Sequence, residues 1–146
     1  KLRLITNGSY LNKKNIQHSL EHMKSVDHEV WFKVDHVNPK ETLKINRINL
    51  SIASLRKNLN NALSISPTIV QTCLLKINNK LPSNEFVNEY IQFLKPYAHK
   101  LKAIHLYSMV RPSQQETDLQ IESLDKSELQ IIADKMTVLK TKIDCY

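Results

Sequence analysis

The spacing between the short apolar runs constrains this chain most. Residues 2–6, 30–34, 68–77 and 101–109 each read as a strand, and residues 142–146 read as a closing one. The intervening stretches are far longer than hairpin loops and carry apolar residues at helical spacing. Ile16, Leu20 and Met23 mark one stripe. Ile52, Leu55, Leu59, Ala62 and Leu63 mark a second, and Val87, Tyr90, Ile91 and Leu94 a third. Leu129, Ile132, Ala133, Met136 and Leu139 mark the last. Strands joined through helices must run parallel, with right-handed crossovers. The expected fold class is therefore α/β, with a mostly parallel sheet of about five strands and crossover helices. That is too few strands for a closed eight-stranded barrel.

Local signals place the helix ends. Asn12, Ser51, Ser83 and Asp125 are expected N-caps, Asp125 with Glu128 as a capping box. Pro39 suits a first helical turn, and Pro96 ends or bends the helix before it. Residues 111–122 read as a polar loop.

The 146 residues suit one domain with a real core. No run is long and apolar enough to span a membrane, and no signal peptide is visible. Two cysteines, Cys73 and Cys145, are too few for a disulfide framework and favour a reducing cytoplasm. The formal charge of +7 admits RNA as a partner, although the basic residues are scattered. Gly8 is the only glycine, which argues against phosphate-binding loops that need several. The chain lacks an initiator Met and opens inside a strand, so a piece of a longer protein is expected. An unpaired Leu2–Thr6 edge and an open apolar inner face should follow.

The strand ends carry the functional signal. Lys33 and Asp35 are two residues apart, so they share one face of the second strand at its carboxyl end. In parallel α/β folds that end binds ligands. Thr6-Asn7-Gly8 ends the first strand, and Tyr107 and Arg111 lie near the end of the fourth. Each has a plainer reading: an ion pair for Lys33 and Asp35, a turn for Asn7-Gly8, core packing for Thr72 and Trp31. His18-Ser19-Leu20-Glu21-His22 matches an HxxEH zinc-protease pattern. No third ligand is identifiable, and an exposed helix face is the favoured reading.

Residues 4–9, 29–35, 69–72 and 104–112 together resemble, in order and spacing, the second half of a radical S-adenosylmethionine enzyme. The resemblance covers nearly the whole chain. It implies strands three to six of a partial (β/α)6 TIM barrel, so that residues 1–146 form a single incomplete domain whose amino-terminal half is missing. That family cleaves S-adenosylmethionine with a 4Fe-4S cluster held by a CxxxCxxC loop, and the resulting 5′-deoxyadenosyl radical abstracts a substrate hydrogen. The loop and the family's Gly-Gly-Glu motif are absent here, so the cluster belongs to the parent and this chain alone is expected to be inactive. The resemblance implies that Thr6, Asn7, Lys33, Asp35, Thr72 and Tyr107 form the ribose and adenine side of the S-adenosylmethionine site. Arg111 is implied to hold an anionic substrate group. Asn78-Asn79 stands where the family often has a glycine, a departure at the adenine contact. The alternative is a small basic α/β module that binds RNA or a phosphorylated ligand without catalysis.

Overall fold

A computed structural model describes residues 1–46, 50–110 and 119–146. The chain order begins with β1 (Leu2–Thr6), α1 (Lys14–His22), β2 (His28–Lys33), α2 (Pro39–Asn46) and α3 (Ile52–Ile65). It continues with β3 (Thr68–Cys73), β4 (Leu75–Ile77), α4 (Asn84–Leu94), β5 (Ala103–Tyr107), β6 (Ile121–Ser123), α5 (Lys126–Lys135) and β7 (Ile143–Cys145). The main sheet has the order β1-β2-β3-β5-β7, and every pairing in it is parallel. The fold is thus the mostly parallel α/β sheet that the spacing predicts.

The strand order rises in one direction without reversal. Crossovers of a single hand then put every helix on the same face. Burial follows this rule. Val30, Phe32, Val34, Val70, Ile104 and Leu106 form one core with Leu20 of α1, Leu59 of α3, Tyr90 of α4 and Leu129 of α5. Each large aliphatic side chain buried there contributes about 1.5–3 kcal/mol.

The helix ends obey their caps. Ser51 accepts from Ser54 N, Ser83 accepts from Phe86 N, and Asp125 forms the full capping box with Glu128. Pro39 opens α2, and α4 ends at Leu94, before Pro96. Asn12 does not cap α1. Lys13 occupies that position without a side-chain bond.

The expected strand 68–77 is two strands. After Leu74 the chain leaves the main sheet, and β4 pairs antiparallel with β6. The β6 strand falls at the end of the expected polar loop, so that part of the loop is corrected. Asn78 and Asn79 both take positive φ and turn the chain after β4, a conformation that asparagine tolerates. Ser108 locks this branch point, donating to Leu74 O at 2.6 Å and accepting from Leu124 N at 2.9 Å.

β1 forms one edge of the sheet, as expected. The open face is not apolar. Arg3, Glu29, Trp31, Lys33, Gln71, Cys73, His105, Tyr107 and Asp144 share it by strand parity, together with Ile5, Ile69 and Ala103. The expectation of an open apolar inner face is therefore wrong. Ionic and aromatic contacts, not bare hydrocarbon, cover this surface.

Gly8 closes the end of β1. Its φ is +81°, and a Cβ there would lie 2.5 Å from Cε2 of Phe32. Gly8→Ala should therefore destabilise the fold by about 2 kcal/mol or more, combining left-handed strain with overpacking. Urea denaturation measures this, and an unchanged midpoint would show that the turn relaxes freely.

Candidate functional site

β2 and β3 deliver the central side chains. Asp35 lies just past β2 and is buried. Its Oδ2 sits 3.3 Å from Lys33 Nζ, and its Oδ1 accepts from Cys73 N at 3.0 Å. Cys73 stands opposite Tyr107 in register. The Tyr107 side chain interacts with both Lys33 and Cys73. The carboxyl ends of three adjacent strands therefore place one acid, one ammonium, one phenol and one thiol together.

The electrostatics of this group are mutual. Burial works against the Lys33 charge, but Asp35 and Tyr107 outweigh it and hold the pKa above the ordinary lysine value. Burial raises the Tyr107 pKa, and Asp35 adds to this while Lys33 opposes it. Burial first, then the Asp35 carboxylate, pushes the Cys73 thiol up to about 11. At neutral pH the group is thus a paired Lys33–Asp35 with a neutral phenol and a neutral thiol.

A cleft of about 500 Å³ opens beside it at the same rim. Asp35 and Cys73 reach its floor, and His36, Ile77, Leu81 and Phe86 are among the residues that wall it. Its carboxylates are Asp35, Glu41, Glu85 and Glu89, against a single lysine, Lys80. The His36 ring packs on Phe86 at 4.8 Å, and its Nδ1 accepts from Asn38 N at 3.0 Å. Burial lowers the His36 pKa despite the pull of Glu41 and Glu89, which keeps the ring neutral near neutral pH.

Of the residues the sequence singles out, the structure brings Lys33, Asp35 and Tyr107 together. Thr72 does not join them. It lies fully buried on the helix-covered face, where it donates to Val34 O at 3.0 Å and shares a short hydrogen bond with the Tyr90 hydroxyl. Thr6 Oγ1 accepts from Gly8 N at 3.0 Å, and Asn7 Oδ1 accepts from Ser9 N at 3.1 Å. Both side chains are spent on the turn after β1. Arg111 lies outside the described residues. Sequence reasoning missed Cys73, whose face the apolar β3 strand does not reveal, and His36 and Phe86, which no spacing reveals.

The opposite end of the open face has its own hub. Glu29 is buried and gathers Lys1 at 3.0 Å, Arg3 at 3.4 Å, the Trp31 indole at 3.2 Å, and Lys102. Burial alone would raise its pKa, but these donors overcome that and hold the carboxyl at about 2. Trp31 and Tyr146 each meet the His105 ring edge-on at 5.0 Å. Asp144 bridges His105 and Lys142.

No family model and no curated protein matches the chain. Among solved structures it is similar to a domain of pyruvate-formate lyase-activating enzyme from Bacteroides vulgatus. The TM-score is 0.69 at 10% identity, covering 99% of this chain and 80% of that one. This chain shares that domain's fold.

Two outcomes follow. Asp35→Asn removes the charge that disfavours the Cys73 thiolate, so iodoacetamide should label Cys73 faster in the variant. Unchanged labelling would detach Asp35 from this thiol. For Glu29, the folded pKa lies below the unfolded value. Its stabilisation is therefore present above the ordinary carboxylate range and is lost as pH falls toward about 2. Glu29→Gln should flatten the acid limb of stability measured by urea titration at successive pH values.

Proposed function

We propose that this chain is the carboxyl-terminal part of a radical S-adenosylmethionine enzyme barrel, and that its rim holds the nucleoside portion of the cofactor. Three lines support this reading. The strand-end segments have the order found in that family. The fold is shared with a domain of an activating enzyme that belongs to it. The third line carries the proposal: a buried carboxylate on the floor of a cleft walled by an aromatic ring at the carboxyl rim of a parallel sheet.

Asp35 suits ribose recognition. Each carboxylate oxygen offers about two lone-pair sites. The Cys73 amide and Lys33 hold this carboxylate at the edge of the cleft, where ribose hydroxyls would donate to it. Lys33 fixes the rotamer of Asp35 and offers a cation to a ribose oxygen or a carboxylate. Phe86 and His36 give a flat, neutral wall suited to a base. S-adenosylmethionine supplies the bond that the parent enzyme cleaves, and the residues here bind and orient it.

The described residues do not suit the iron–sulfur cluster. They contain no group of three or more His, Cys, Asp and Glu side chains able to hold a metal. Cys73 belongs to the open face, and Cys145 aligns with Leu106 on the helix-covered one. Three thiolates from one short segment are needed, so cluster binding falls to the rest of the parent. The alternative of a phosphate- or RNA-binding module finds little support at this cleft, because among its described lining residues Asp35, Glu41, Glu85 and Glu89 repel phosphate and Lys80 alone is a lysine or arginine that attracts it.

Isothermal titration of the chain with S-adenosylmethionine, adenosine and adenosine monophosphate tests the reading. Adenosine and S-adenosylmethionine should bind more tightly than the monophosphate. Asp35→Ala should weaken both by about 1–3 kcal/mol. Unchanged affinity in the variant would remove Asp35 from the site. Preference for the monophosphate would favour the phosphate-binding module.

A further inference from the structure

We infer that His18 and His22 form a two-histidine chelate for a divalent transition ion of the Cu²⁺ or Ni²⁺ class on the exposed face of α1. This site is separate from the rim, and it does not depend on the nucleoside reading. One helical turn separates the two residues, which places their side chains on the same face. Both are exposed, so an ion reaches them directly from solvent. Their Nε2 atoms lie 3.0 Å apart, and the rings stand nearly perpendicular at 83°.

That separation selects the coordination geometry. With metal–nitrogen bonds of about 2.1 Å, two ligands 3.0 Å apart subtend about 90° at the metal. A right angle is the cis angle of square-planar and octahedral complexes, as Cu²⁺ and Ni²⁺ prefer. Tetrahedral Zn²⁺ requires a separation of about 3.4 Å at the same bond length. Without metal, one ring's Nε2–H donates to the other ring's Nε2. On binding, that proton moves to Nδ1 of its own ring, so that both imidazoles ligate the ion through Nε2 in their neutral forms, and water completes the coordination sphere.

Glu21 does not make this a protease centre. Two ligands from one helix leave the ion without the third protein ligand that such a catalytic site uses, and the described residues hold no larger metal-ligating group. The chelate would instead staple the last turn of α1, whose C-terminal residue is His22.

The test is calorimetric titration of the full chain with Ni²⁺ at neutral pH, in a buffer that does not chelate. One ion should bind per chain. His18→Asn and His22→Asn should each weaken binding by about a hundredfold, the loss expected when a second linked ligand is removed. His99→Asn, which alters an exposed histidine elsewhere, should bind as the wild type does. Metal-free melting temperatures of all three variants should match the wild type, and Ni²⁺ should raise the melting temperature only where both histidines remain. Wild-type affinity in either single variant would overturn the chelate. Tighter binding of Zn²⁺ than of Ni²⁺ would overturn the right-angle assignment.

Discussion

Winding a parallel sheet in one direction places all of its helices on one side. The remaining face receives no helix, and its residues must settle their own desolvation and charge. This constraint accounts for the distribution of chemistry in the molecule. The helix-covered face is aliphatic, with Val30, Phe32, Val70, Ile104 and Leu106 in the core. The opposite face carries Glu29, Lys33, Asp35, Cys73, His105, Tyr107 and Asp144, in register with one another across the strands.

Two buried carboxylates organise that face at its two ends. Glu29, at the amino-terminal end, is surrounded by cations and an indole donor. Such a carboxylate is held ionised by its partners, and breaking one contact leaves a buried charge less compensated. Asp35, at the carboxyl end, is held by Lys33 and the Cys73 amide and lines a cleft. The first carboxylate is enclosed by the protein's own donors, whereas the second lines an open cleft. The cleft-lining carboxylate stands at the carboxyl rim, the end at which parallel sheets generally bind ligands.

The branch after β3 matters as much as the rim itself. The chain leaves the sheet at Leu74, and β4 with the Asn78-Asn79 turn builds one wall of the cleft through Ile77, Lys80 and Leu81. Phe86 on α4 supplies another part of the wall. Ser108 ties β5, the β3–β4 junction and the start of α5 at one point. Without this knot the cleft would have a floor but no stable side.

The sequence by itself determined the strand–helix alternation, the parallel sheet, the caps at Ser51, Ser83 and Asp125, and the shared face of Lys33 and Asp35. Those features depend on periodicity and on contacts within a few residues, which local sequence encodes. It did not determine the face on which Thr72 and Cys73 lie, because a strand buried on both sides has no polar alternation to reveal its parity and one residue's shift exchanges the faces. Nor did it show the split of residues 68–77, since β4 and β6 pair across more than forty positions of chain. The cleft itself was decided only by tertiary structure, which carries Asp35, the Asn78-Asn79 turn and Phe86 to one rim. Their proximity arises from strand register and helix packing, and neither is written in the spacing of any single segment.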